Sequence, residues 1–159
     1  MRTWEEYKAT MRAENPLLAL ARNGNVEALA QALTPENIDE KNHKGYSALM
    51  LAAYNGQYEA CEYLLIHGAD PNSADATGST ILMGAAFKGN LEIVKLLVDH
   101  GADVDMENPK GQTALQFAQM FGRSEVVKYL KNRKDKAEVF GLVDIVSGWS
   151  SFMFKGGRA

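Results

Sequence analysis

A single cysteine, Cys61, in 159 residues rules out an internal disulfide and a cysteine-based zinc site. No apolar run approaches the ~18 residues that cross a bilayer as a helix. The opening stretch "MRTWEEYKATMRAENP" has no apolar h-region, which excludes a secretory signal peptide and makes the cytoplasm the expected compartment. Positive charge is not in excess either. The formal net charge of −3 gives no general pull toward nucleic acid or an anionic membrane. Basic residues gather only in "KYLKNRKDK" (128–136), where Asp135 interrupts the run and Glu138 follows it, as in a solvated helix end. No glycine-rich phosphate loop follows a strand, and no ligand spacing suggests zinc. Catalysis needs an activated nucleophile, a paired acid and base, or a metal held in one place. None of these is written in the chain, so the expected catalytic and metal sets are empty.

What the chain does have is a period. With hydrophobic residues at 46% and charged residues at 23%, it should fold as one domain with a sizeable core. Glycines recur at 45, 78 and 111, again at 56, 89 and 122, and as the pair 68 and 101, always in steps of 33. The residues between them recur as well, in "GYSALMLAAYNG" (45–56), "GSTILMGAAFKG" (78–89) and "GQTALQFAQMFG" (111–122). Ser47, Thr80 and Thr113 stand where a hydroxyl can cap the following helix by accepting one of its unpaired N–H groups. The glycine that closes each segment suits the left-handed backbone at a helix C-terminus. A second amphipathic stretch follows each time, "YEACEYLLIHGAD", "LEIVKLLVDHGAD" and "SEVVKYLKNRKD". A weaker first copy runs through "NPLLALARNG" and "NVEALAQAL", with Asn15 as cap and Pro16 at the first helical position. Units this small cannot bury their apolar faces alone, so neighbours must stack into one elongated core. The predicted fold is all-α, a solenoid of stacked helix-turn-helix pairs with hairpin-like loops.

The 33-residue period, "G-x-[ST]-x-L", "AA-x-x-G" and "LL-x-H-GAD" resemble the ankyrin repeat over roughly residues 13–133. The expected boundaries are about 13–41, 42–74, 75–107 and 108–133. One departure is the usual "TPLH" box, which reads "SALM", "TILM" and "TALQ" and so loses Pro and His while keeping the capping hydroxyl. Residues 1–12 are expected to form an N-terminal capping helix through Trp4, Tyr7 and Met11, with Thr3 and Glu6 as its capping box. The segment 134–159, apolar in "VFGLVDIVSGWSSFMF" (139–154), is expected to cap the last repeat or to dock on a partner or membrane surface. His67 and His100 precede "GAD" in successive copies and are expected to cap helix ends. Asp70 and Asp103 read as turn formers and Cys61 as core.

One residue breaks the simple helix pattern. Leu82, Ala85 and Ala86 share one face, from whose centre Phe87 points roughly 150° away. Its equivalents are Tyr54 and Met120, followed by Asn55, Lys88 and Phe121. Stacked copies should set Tyr54, Phe87 and Met120 side by side as a stripe. The resemblance implies that these positions and the hairpin tips line a concave, partner-binding face. The tips supply His43, Lys44 and Tyr46, then Thr77 and Ser79, then Lys110 and Gln112. The expected function is non-enzymatic binding of a partner protein by a monomer, as adaptor, inhibitor or assembly factor. The segment "NHKGYSALMLAAYNG…GSTILMGAAFKGN" also looks like that of small bacterial ankyrin proteins, some associated with catalases. That likeness implies an alternative, haem binding or haem delivery, with Tyr54 as axial ligand, Phe87 stacking on the porphyrin and Lys88 or Lys110 near the propionates. A further alternative is attachment to a membrane surface or partner through residues 139–154.

Overall fold

The structure is a computed structural model that describes residues 15–133. The expected capping helix over 1–12 and the apolar segment over 134–159 lie outside the described residues. Four helical pairs follow one another along the described residues. They are α1 (Pro16–Asn23) with α2 (Val26–Ala32), α3 (Ala48–Tyr54) with α4 (Tyr58–Ile66), α5 (Ile81–Lys88) with α6 (Leu91–Asp99), and α7 (Ala114–Met120) with α8, the helical residues 124–133. First helices stack in the order α1, α3, α5, α7, and α2, α4 and α6 form a second layer behind them. The architecture is an all-α repeat solenoid, and no strand longer than an isolated bridge, Ala74 with Thr80, occurs among the described residues.

The helix starts are set by side chains. Ser47, Thr80 and Thr113 accept from the amides of Met50, Met83 and Gln116 at 3.3, 3.3 and 3.4 Å. In α7 the box closes, because the Gln116 amide oxygen accepts the Thr113 N–H at 2.8 Å. Thus the residue that stands in place of the usual histidine does capping work in the fourth helical pair. Asn15 caps α1 through the Leu17 N–H, as its position before Pro16 implies. His67 and His100 each place Nδ1 against a carbonyl four residues back, Tyr63 at 2.7 Å and Leu96 at 2.9 Å. A carbonyl only accepts, so the imidazole proton sits on Nδ1 in both.

The core is continuous through the stack, and the first helices are buried more completely than a one-sided stripe requires. Every residue of α3 except Tyr54 is buried. In α5, Ile81 and Met83 are buried along with Leu82, Ala85 and Ala86. A helix with neighbours on both flanks and a partner behind it has only one narrow strip left for solvent. Cys61 is wholly buried, and burial pushes its thiol up to about 12.

Side-chain bonds join one repeat to the next. The Asp39 carboxylate accepts the Asp70 N–H at 3.0 Å, and one period later the Asn72 amide oxygen accepts the Asp103 N–H at 2.7 Å. Asn72 also donates to the Gly101 carbonyl at 3.1 Å. Asp70 and Asp103 turn the chain as expected, each accepting the amide two residues on.

Candidate functional site

Each hairpin tip is built on one polar side chain. The Asn42 Oδ1 accepts the N–H groups of Lys44 and Tyr46, both at 3.0 Å. Asp75 does the same for Thr77 and Ser79 at 2.8 and 3.0 Å, and Asn108 for Lys110 and Gln112 at 3.0 Å each. Asn42, Asp75 and Asn108 lie 33 residues apart, a recurrence in the sequence that identifies them as the organisers of the tips. Adjacent tips are joined where the Ala76 N–H donates to the Lys44 carbonyl at 3.0 Å. Gly45 makes that approach possible. Its φ is +78°, and a Cβ there would overlap the Ala76 amide nitrogen.

The tips and the C-terminal ends of the first helices share a face, and the structure places the expected residues there. His43, Lys44, Thr77, Lys88 and Lys110 are exposed, as is Asn55, whose side-chain amide donates to the Leu51 carbonyl at 2.8 Å. Tyr46, Ser79 and Gln112 are half-buried at the bases of their tips. Rings from three successive repeats meet across this face. Tyr54 and Phe87 lie parallel, 4° between planes, with centroids 6.3 Å apart. Phe87 meets Phe121 edge to face at 4.5 Å. The Lys88 ammonium sits 4.7 Å from the centre of the Tyr54 ring, a cation–π contact. The Arg123 Nε–H donates to the Phe87 carbonyl at 2.9 Å and ties the end of α5 to the next repeat.

The row differs from the expected stripe in one member. Phe121, not Met120, continues it. Consecutive helical residues point about 100° apart, and it is the larger side chain at 121 that turns toward α5. Met120 instead takes a weak hydrogen bond from the Gln112 side-chain amide, at 3.6 Å to its sulfur. Phe87 is also less exposed than its angle on an isolated helix suggests, because Tyr54 and Phe121 flank it. The open apolar surface is supplied by Tyr54, Phe121 and Met120, 45%, 43% and 63% exposed.

Between the tips and the row lies a cavity of about 310 Å3, walled mainly by Tyr46, Met50, Tyr54, Met83, Phe87 and Phe117. No cluster of three or more His, Cys, Asp or Glu able to hold a metal ion occurs among the described residues. Of the residues named for the haem alternative, Tyr54 and Phe87 lie parallel with Lys88 over the Tyr54 ring, and Phe121 already meets Phe87 edge to face. Among the described residues, no helix is long and apolar enough to cross a membrane. Residues 139–154 lie outside the described residues.

The chain matches the family described as ankyrin repeats (3 copies) over residues 5–75 and 65–139.

Proposed function

The chain belongs to the ankyrin-repeat family, and we propose that it holds one partner protein on the face formed by its hairpin tips and first helices. Ankyrin repeats are protein–protein interaction modules and typically not enzymes. The chain works by binding, as an adaptor, inhibitor or assembly factor in the cytoplasm, and as a monomer. The observation that carries this reading is the row Tyr54, Phe87 and Phe121, in ring-to-ring contact across three repeats and bordered by Met120. Aromatic side chains are the usual energetic anchors of interfaces. Here neighbouring rings already hold them in place, which lowers the entropy lost on binding. Tyr46, Thr77, Ser79 and Gln112 supply the polar rim, and His43, Lys44, Asn55, Lys88 and Lys110 surround it.

The test is affinity capture from the source cells with the wild-type chain and a Tyr54→Glu/Met120→Glu/Phe121→Glu variant. All three residues are exposed and lie outside the core, so the variant should still fold, at a lower melting temperature that reflects the lost ring contacts with Phe87, and its fold is checked by far-UV circular dichroism. A protein captured by the wild type, lost by the variant and shown to bind directly when purified supports the face. Equal capture of every protein by both would refute it.

A further inference from the structure

The middle of the aromatic face is hollow for a reason visible in the repeat. One register position of the first helices reads Leu51, Gly84 and Phe117, in steps of 33. The copy in α5 has no side chain, and the cavity of about 310 Å3 opens over it. The backbone does not demand glycine there. Gly84 lies inside α5 and is not one of the positive-φ glycines. A Cβ built on it meets only Tyr54 Cδ2, at an ordinary 3.8 Å. Glycine inside a helix weakens it relative to alanine, so the position gives up stability and leaves a hole.

Cations stand on the face around that hole. Lys88 stands over Tyr54, and Lys44 and Lys110 occupy the flanking tips. None of these three ammonium groups forms an ion pair with a carboxylate among the described residues. Asp75 brings the carboxylate that lines the cavity, and its Oδ1 already accepts the Thr77 and Ser79 N–H groups and the Thr77 hydroxyl. The exposed Glu107, whose carboxylate lies beside Gly111 on the Lys110 tip, adds a second, so three cations stand against two carboxylates and the face around the cavity keeps a net positive balance. The volume lies at the low end of the roughly 300–1,000 Å3 of small-ligand pockets, enough for one anchoring side chain.

We propose that this cavity receives one large apolar side chain from a partner protein segment that carries acidic residues beside it. The proposal rests on the interaction-face reading and deepens it. It makes Gly84 a specificity-determining position whose missing side chain is replaced by the partner's.

The probe is a displayed library of random twelve-residue peptides, selected on the full chain. Enriched peptides are then synthesised and titrated by fluorescence polarisation against the wild type, Gly84→Phe, Gly84→Ala and Lys44→Glu/Lys88→Glu/Lys110→Glu. Enriched sequences should share a Trp, Phe or Leu flanked by Asp or Glu. Filling the hole in Gly84→Phe should weaken them by at least about tenfold, the worth of one buried apolar side chain. Gly84→Ala adds a single ordinary contact and keeps the test open if the larger variant does not fold; a severalfold loss is expected. The charge variant should weaken binding more at low salt than at high salt. Basic or anchorless peptides, equal affinity for Gly84→Phe, or no selection at all would overturn the proposal. So would a wild-type dimer that Gly84→Phe dissociates, or peptide binding that requires Trp149→Ala. Those two results would assign the cavity to a second copy or to the chain's own tail. Peptides that ignore Gly84→Phe but are lost with Tyr54→Glu/Met120→Glu/Phe121→Glu overturn the pocket and leave the face. Peptides that ignore both sets overturn both readings.

Discussion

The same substitution, glycine to alanine, should act with opposite sign at two positions. At Gly84 the backbone is ordinary helix, and the new Cβ would lie 3.8 Å from Tyr54 Cδ2 without strain. Relief of glycine's helix penalty then gives a stabilisation of about 0.5–1 kcal/mol, much of it from a less flexible unfolded chain. At Gly45 φ is +78°, where an L-residue costs about 1–2 kcal/mol. The added Cβ would also overlap the Ala76 amide nitrogen and stand 2.8 Å from the Asp75 carbonyl carbon, both backbone atoms. Relief requires the two tips to separate and the bond from the Ala76 N–H to the Lys44 carbonyl to be lost, about 1 kcal/mol more. Gly45→Ala should therefore destabilise by about 2–3 kcal/mol. Urea unfolding followed by far-UV circular dichroism reads both, provided the slopes match the wild type. A lowered midpoint for Gly84→Ala, or a Gly45→Ala midpoint within error of the wild type, would refute the reasoning.

Ser47→Ala removes a buried cap from α3 and should cost about 1 kcal/mol, seen as a lower urea midpoint. Asn72→Ala deletes two bonds to the next repeat, and a loss of about 1–2 kcal/mol is expected in the same assay. Burial raises the Cys61 thiol from 9.0 to about 12, so the unfolded thiol ionises first. Its contribution is therefore fully present below pH 9 and is lost as pH rises toward 12, a fall that Cys61→Ala should reduce. At pH 8 a thiol reagent should label the native protein no faster than it unfolds; rapid native labelling would contradict the burial.

The stack was legible because its rules are local. The glycine steps of 33, the hydroxyls at 47, 80 and 113 and the asparagine at 15 each act on the next few residues, and the structure shows the caps they form. What depended on contact between copies was harder to read. The angle of Phe87 on its own helix pointed outward, but its exposure is decided by Tyr54 and Phe121 from neighbouring repeats. The choice of Phe121 over Met120 is of the same kind, because a one-residue change in register swings a side chain by about 100°. Burial of both flanks of α3 hides the amphipathic stripe that periodicity looks for. Two signals were present and readable only down the columns of the repeat: Asn42, Asp75 and Asn108 at the tips, and the lone glycine between Leu51 and Phe117.

The cavity has walls from three repeats, so no single repeat contains it. A stack of this kind can open at any joint between neighbours, and each joint has its own free energy. A segment seated there acts as a rivet. It strengthens the joints on either side of α5 by its binding free energy and leaves the outer ones nearly as they were. Occupancy should then be visible far from the ligand as a redistribution of breathing, with amides in α3 to α7 exchanging more slowly while those of α1 and α2 hardly change. The stack would in this way report that its partner is present.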